Sequence, residues 1–462
     1  MKAEPVRIHC GASPVAGHNL GRGPHPRQLD CWPSPLVLVR HPARNPIEDG
    51  HRVQTRIPNI RHLLALHELM RTRRIALAAD RVHLSQPAVS QAVAGLEREL
   101  GTRLFERRAR GMFPTEAGEM FGRRVARMLE FLKAGEAQAL RRSPRPGRAR
   151  HAGFHRLVSA VQLRCLIAVA DAGSFSQAAQ HLGVSQPAVQ RAARDLESLT
   201  GLALFEPIRR GIALSPAAEA LARNARLAAA ELRQGRDEIG AHLGRDSTRI
   251  RIGTLPLSRT ALLPGAIDTM LRTSPGRVQV HCIDGPYERL LRDLRHGELD
   301  FILGALREPL PAGDVEQEAL FTDALSVVAS VDHPLAGRQG LTLRDTLDYP
   351  WIAPPKSTPS GRFLFARLGI PDLPDTPVRI VSSSLVMARG LMMRGDYITI
   401  MSRRQYAVEE SLGLLAALPI ALEHSDRPIG LTFRRDWVAT PSQARLLALI
   451  RAGAAAPGDP HL

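Results

Sequence analysis

Only four cysteines occur in the 462 residues, Cys10, Cys31, Cys165 and Cys282, and no two of them form a C-x-x-C pair. That excludes a disulfide framework or a cysteine-bound zinc site and fits a reducing compartment. Lysine is nearly missing too: Lys2, Lys133 and Lys356 are the whole complement, so arginine carries the positive charge. No apolar run reaches the roughly 18 residues that a membrane span needs. The N-terminus has charged residues and proline where an export signal has a compact apolar segment, so neither export nor a membrane partner is expected. No G-x-S-x-G, P-loop or H-E-x-x-H motif occurs, and no carboxylate pair has catalytic spacing. The sequence thus predicts no catalytic residue, no metal site and no cofactor.

What is present begins with charge. Acidic and basic side chains balance over residues 251–462, so the whole net charge of +17 sits in residues 1–250. A basic front attached to a neutral rear points to a polyanion partner, because phosphate neutralisation dominates nucleic-acid affinity. The length is enough for about three domains, and an apolar fraction of 44% supplies ordinary globular cores.

The decisive pattern is an internal repeat. Segments near 60–135 and 160–235 align without a gap at an offset of 100 residues. Leu63 matches Leu163, and Ala78-Ala79 matches Ala178-Ala179. The run Ser85-Gln86-Pro87-Ala88-Val89 matches Ser185-Gln186-Pro187-Ala188-Val189. Leu96-Glu97, Gly101, Leu104-Phe105-Glu106, Arg110-Gly111 and Glu119 all recur 100 residues later. A period this long means two whole domains rather than a solenoid.

Local chemistry then predicts helices. Leu163, Leu166, Ile167 and Ala170 mark one face of a first helix. Ser174 followed by Gln177 reads as a capping box for a second helix, Ser176 to Leu182, with Gly183 just past its end. Ser185 is a natural cap for a third helix and Pro187 is tolerated in its first turn. Two short helices joined by a turn with glycine is the helix-turn-helix signature. Leu202–Glu206 and Ile212–Leu214, flanking Arg209-Arg210-Gly211, read as a two-stranded wing with a basic tip. The third helix would offer amides and a positive dipole to phosphate, with small and amide side chains against base edges.

Both copies resemble the N-terminal winged helix-turn-helix of LysR-type transcriptional regulators: G-S-F-x-x-A-A, then S-Q-P-A-V-S, then L-E-x-x-x-G-x-x-L-F, a basic wing and L-T-x-A-G. The copies depart from it differently. Copy one has Arg73-Arg74-Ile75 where copy two has Gly173-Ser174-Phe175, so its second helix loses the serine cap. It keeps Ser90 and Arg107-Arg108. Copy two has Gln190, Pro207 and Ala218 at altered positions. The resemblance implies DNA contacts from Ser85, Gln86, Pro87, Ala88, Ser90, Gln91 and Arg98, with wing arginines Arg107, Arg108 and Arg110. In copy two it implies Ser185, Gln186, Pro187, Ala188, Gln190, Arg191 and Arg194, with Arg209 and Arg210. Asymmetric use of the two copies is expected.

Residues 1–58 lack any lasting period and read as low-order chain. Residues 59–140 are copy one, 141–157 a flexible basic linker, and 158–244 copy two. Copy two ends in a long helix that starts at Ser215-Pro216, with Leu221, Ala225, Ala228 and Leu232 at helical spacing. The resemblance implies that this helix pairs with its counterpart in a partner chain; packing on its own domain is the alternative.

From 248 to 453 short strands alternate with helices, the mark of an α/β domain; 454–462 read as a tail. The stretch Gly297–Gly304 and Asp332–Ala336 resemble the family's effector domain, a type 2 periplasmic-binding-protein fold of two subdomains around a cleft. The resemblance places three loops at that cleft: Thr254, Ser258 and Arg259; Ser357 and Thr358; and Ser383 and Ser384. Helix N-termini converging there favour a small polar effector, an organic acid or sugar derivative.

The fold class expected is mixed, two tandem winged helix-turn-helix domains ahead of that α/β domain. The function expected is a sequence-specific DNA-binding regulator, a homodimer or homotetramer that works with RNA polymerase in the cytoplasm, associated with the nucleoid. An enzyme and a nonspecific architectural DNA protein are the alternatives, disfavoured by the missing catalytic groups and by the presence of a cleft.

Overall fold

Apart from Arg210 and Pro275, the computed structural model describes residues 57–143 and 153–455. Helices α1 (Ile60–Thr72), α2 (Ile75–Val82) and α3 (Gln86–Leu100) precede a hairpin of β1 (Phe105–Arg108) and β2 (Gly111–Pro114) and a 27-residue helix α4 (Glu116–Arg142). The same order recurs as α5 (Ala160–Ala172), α6 (Phe175–Leu182), α7 (Gln186–Thr200), β3 (Phe205–Ile208), β4 (Gly211–Leu214) and α8 (Pro216–His242).

The repeated residues explain the repeated shape. Glu97 accepts the amides of Leu104 and Phe105 at 2.8 and 3.2 Å, and Glu197 accepts those of Leu204 and Phe205 at the same distances. One carboxylate thereby ties the third helix to the hairpin in each copy. The hairpin is held from its other side by Met112 N–H to Arg73 O at 2.9 Å and Ile212 N–H to Gly173 O at 2.8 Å. Position 73 carries a cost. Arg73 ends α1 at φ 55, the left-handed region that Gly173 occupies freely at φ 62. A side chain there costs about 1 kcal/mol. Arg73→Gly is expected to raise the urea unfolding free energy by about 1 kcal/mol; an unchanged midpoint would show that the Arg73 guanidinium, 5.1 Å from the Phe113 ring centre, offsets the strain.

The long helices meet each other. Arg124, early in α4, bonds Glu231, Gln234 and Glu238 late in α8, whereas Gln138, late in α4, bonds Asn224 early in α8. The two therefore run antiparallel along their length. Apolar residues of both copies merge into one core, including Phe121, Val125, Met128 and Leu132 of α4 with Leu221, Ala225, Ala228 and Leu232 of α8. This corrects the expectation of a partner chain for the Ser215 helix: its apolar stripe is covered by α4 of the same chain. The duplicated domain brought its own second helix.

The linker reading also changes at its C-terminal end. Phe154 is buried, and Glu136 accepts the amides of Gly153 and His155 at 2.7 and 2.9 Å, fixing a 3-10 turn at Phe154–Arg156 onto α4. Residues 144–152, the first 56 residues and residues 456–462 lie outside the described residues. The last helix, Pro441–Ala455, runs past residue 454, so the expected tail begins inside a helix.

Two five-stranded sheets make up the rest. The first holds β5 (Arg249–Thr254), β6 (Gln279–Asp284), β7 (Phe301–Ala305), β8 (Val315–Asp323) and β14 (Arg427–Arg434), in the order β6-β5-β7-β14-β8. The second holds β9 (Leu325–Ser330), β10 (Trp351–Ala353), β11 (Val378–Val381), β12 (Ile398–Ser402) and β13 (Leu415–Ala417), in the order β11-β10-β12-β9-β13. The chain crosses to the second sheet after β8 and returns for β14. Strand β5 is parallel to β6 and β7, and β10 to β11 and β12. Helices α9 (Leu262–Thr273) and α14 (Pro441–Ala455) cover the first sheet through Leu263, Met270, Leu446 and Ile450. Between strands lie α10 (Tyr287–Arg295), α11 (Pro359–Arg362), α12 (Leu385–Met392) and α13 (Arg403–Ser411).

The first sheet's side of this domain sits on the helix pair. Gln234 donates to Gln443 at 3.2 Å, Arg233 to Gly297 O at 3.2 Å, and Arg223 and Arg295 share Asp314. Asp237 of α8 lies in this region. Burial, with Asp300 and Asp246 adding repulsion against the opposing charges of Arg233 and Arg251, raises its pKa to about 7. A carboxyl raised in the fold stabilises it while protonated, so this contribution is complete below the ordinary value of 3.8 and is lost as pH rises through 7. Asp237→Asn is expected to gain about 1–2 kcal/mol over the wild type at pH 8 and nothing at pH 4, read from urea melts at both pH values.

Candidate nucleic-acid interface and effector cleft

Each recognition candidate lies on a helix whose opposite face is nailed to a core. Val89, Ala92, Val93 and Leu96 bury one side of α3, and Val189, Ala192, Ala193 and Leu196 one side of α7. Helical spacing leaves the other side outward. Ser85, Gln86, Pro87, Ser90, Gln91 and Arg98 are exposed and Ala88 is half-buried; Ser185, Gln186, Pro187, Ala188, Arg191 and Arg194 are exposed and Gln190 is half-buried. Ser85 caps α3 as expected, accepting from Ala88 N–H at 3.3 Å. Ser185 does not make that bond. Its backbone carbonyl takes the Ala188 amide at 3.0 Å in a tighter first turn, which leaves the hydroxyl without a capping role.

In the hairpins Arg107, Arg108, Arg110 and Arg209 are exposed; Arg210 lies outside the described residues. Arg108 pairs with Glu106 at 3.0 Å, so part of its charge is already answered. Two further cations stand beside this surface and were read from the sequence only as a lost cap. Arg73 and Arg74 are exposed at the start of α2, where helix-turn-helix proteins meet the DNA backbone. Their signal was a basic pair replacing Gly-Ser.

A cleft of about 340 Å³ opens between the two sheets. Its walls come from the C-terminal ends of β5, β6, β7, β10 and β11, where open α/β sheets hold ligands. Arg259, Ser357, Thr358, Ser383 and Ser384 line it. Thr254 and Ser258 do not. Both are buried: the Thr254 hydroxyl donates to Ile283 O at 3.3 Å and the Ser258 hydroxyl to Leu255 O at 2.8 Å, so the two turn inward to satisfy backbone carbonyls. Thr358 and Ser384 are also helix caps, accepting from Gly361 at 3.0 Å and Met387 at 3.2 Å.

Arg307 and Arg427 line the cleft as well, and sequence reasoning missed both. Arg427 is paired with Asp323 at 3.2 Å. Arg259 pairs with Asp284 at 3.2 Å. Arg307 lies over the Tyr287 ring at 4.2 Å, and among the described residues no carboxylate comes within 4.0 Å of its guanidinium. Burial lowers its pKa, with Arg362 and Arg427 adding repulsion against the opposing charges of Tyr287 and Glu288. Among the described residues no group of three or more His, Cys, Asp or Glu side chains is placed to hold a metal ion, and no helix is long and apolar enough to cross a membrane.

The model of the LysR substrate binding domain matches residues 243–455, and that of the bacterial regulatory helix-turn-helix protein, lysR family, matches residues 60–119 and 161–219. The chain is 32% identical over 403 residues to the HTH-type transcriptional regulator GalR of Pseudomonas putida, covering 86% of this chain and 98% of that protein. It belongs to the LysR family. This LysR-type regulator is also 32% identical over 297 residues to the HTH-type transcriptional regulator PcaQ of Agrobacterium fabrum, covering 63% and 94% of the two chains. The solved structure of CbnR, a LysR family transcriptional regulator, is 23% identical, covers 63% of this chain and 98% of its own, and gives a TM-score of 0.44. These relatives are transcriptional regulators, not enzymes. The helix-turn-helix models at one end and the substrate binding domain model at the other give this LysR-type regulator DNA and a small-molecule effector as partners.

Proposed function

We propose that both helix-turn-helix copies read DNA and that a small carboxylate, held at Arg307 in a cleft of the periplasmic-binding type, alters how they sit. The observation that carries the effector reading is Arg307 itself, a half-buried cation with an aromatic face beneath it and, among the described residues, no carboxylate within 4.0 Å of its guanidinium. Ser357, Thr358, Ser383 and Ser384 supply hydroxyls across the same cleft. An organic acid fits this set better than a neutral sugar derivative. The reading of two working heads is supported by outward arginine and amide side chains on both α3 and α7. It is supported too by the 403-residue match to GalR, which is longer than everything after residue 160 and so runs through both copies. Copy one spans 59–140, copy two 158–244 and the effector domain 248–453. The regulator would act in the cytoplasm on the nucleoid, contacting RNA polymerase, with oligomers built through the effector domains. A selection from random duplexes tests the DNA reading, followed by gel shifts of the wild type, Arg98→Ala and Arg191→Ala. Each variant is expected to weaken the selected site about 5- to 100-fold, and unequally. Equal losses would argue against divergent heads, and binding without sequence preference would sink the reading.

A further inference from the structure

The contacts between α4 and α8 obey a symmetry that no single helix pair requires. A methyl group at Gly135 would stand 2.9 Å from Asn224 Cβ and 3.7 Å from Leu221 Cδ2. At Gly235 it would stand 3.1 Å from Arg124 Cβ and 3.1 Å from Phe121 Cδ2. Each residue in the second set is the first set's counterpart at the offset of 100. The side-chain bonds repeat the exchange: Arg124 with Glu238 is answered by Asn224 with Gln138. Residue i meeting j′ while i′ meets j is the signature of a two-fold, isologous interface. Here both halves of it lie in one chain.

We infer, on the reading that both copies bind DNA, that a single chain is a complete two-headed unit, and that it occupies two inverted half-sites of unlike sequence. The dyad sets the heads on the same side of the helix pair and in opposite orientation. Helices of 27 residues at about 1.5 Å per residue set the two attachment points about 40 Å apart. One turn of B-DNA separates neighbouring half-sites by about 34–36 Å, so two half-sites on one face of a duplex are within reach. The half-sites differ because the outward side chains differ. Copy one presents Ser90, Gln91 and Arg98, whereas copy two presents Gln190, Arg191 and Arg194. Glutamine suits adenine and arginine suits guanine.

The symmetry is also broken where the effector domain docks. Arg124 donates to Val438 O at 3.0 Å, and α8 supplies Gln234 to Gln443. One effector domain therefore rests on both linker helices and serves both heads.

Two experiments on the full chain separate this inference from the reading beneath it. In the first, Gln138→Cys with Asn224→Cys, whose native side chains meet at 3.1 Å, is joined by a short bismaleimide crosslinker and digested, and the linked peptides are identified from species separated by size. A 138–224 link inside a species of single-chain mass is expected. The same link confined to a species of twice that mass overturns the inference, whatever the DNA result. In the second, Ser90→Gln and Gln190→Ser are each carried through selection from random duplexes, alongside the wild type. The wild type is expected to select two unlike inverted halves at one chain per pair. Scrambling either half should lower affinity at least about tenfold. Ser90→Gln should change base preference in one half and Gln190→Ser in the other. Either variant changing both halves, or both variants changing the same half, overturns the inference while leaving DNA reading intact. Selection of no sequence at all overturns both.

Discussion

Arg124→Met is expected to lower the unfolding free energy by about 3–5 kcal/mol, the usual penalty for stranding a buried charge by removing its partner. The Arg124 side chain is 3% exposed, and it reaches Glu231 at 3.0 Å, Gln234 at 3.1 Å and Val438 O at 3.0 Å as well as Glu238. Burial alone would lower its pKa; the hydrogen bond to Glu238 and the charges of Glu231 and Glu238 override that and raise it. Methionine keeps much of the volume and none of the donors. Glu231, itself 5% exposed, keeps a second cation in Arg127 at 3.1 Å, so Glu238 suffers most. Urea melts of the full chain measure the loss. Adding Glu238→Leu to Arg124→Met should recover most of it, because the carboxylate left without a cation is then gone while Glu231 keeps Arg127. A single variant as stable as the wild type would mean that water reaches the cluster.

The second large effect concerns the cleft. Against a panel of small mono- and dicarboxylates, the acid that most raises the melting temperature of the wild type is expected to bind Arg307→Met about 10- to 150-fold more weakly, the worth of one charge-assisted hydrogen bond at about 1.5–3 kcal/mol. Calorimetric titration gives the ratio. Arg307 has no ion pair among the described residues, so its loss should cost the fold only its contact over the Tyr287 ring and its hydrogen bond to Ala305 O, about 1–2 kcal/mol. That separates it from Arg427, whose removal strands Asp323. Uncharged polyols raising the melting temperature while every carboxylate fails would overturn the anionic reading.

How much of this was readable in advance depended on the range of the interaction. The heads were legible because their determinants are local: Ser85 and Pro87 start a helix within three residues of themselves, and the repeat doubled every signal. Even there, Ser185 shows the limit, since whether a hydroxyl or a carbonyl takes one amide depends on a small difference in turn geometry. The pairing of α4 with α8 was only half legible. Leu221, Ala225, Ala228 and Leu232 announced a covered face, but a stripe does not say what covers it. Gly135 and Gly235 sit at the offset of 100, yet their meaning emerges only when Asn224 and Arg124 are seen against them. The cleft was least legible. Thr254 and Ser258 look no different in sequence from Ser357 and Thr358; the end of β5 at Thr254 and the 3-10 turn at Pro256–Arg259 aim those two hydroxyls at the carbonyls of Ile283 and Leu255. Arg307 and Arg427 reach one cavity only because the chain leaves the first sheet for about a hundred residues and returns in β14 (β8 ends at Asp323 and β14 begins at Arg427).

The antiparallel helix pair has a further consequence, for dosage. Heads that must first meet from separate chains fill a paired site in proportion to the square of the protein's concentration when it is scarce. Heads joined through one polypeptide see each other at a fixed effective concentration, commonly on the order of millimolar for short connections. On the proposed reading that both heads bind DNA, occupancy of one paired site by one chain then rises with the first power of chain number.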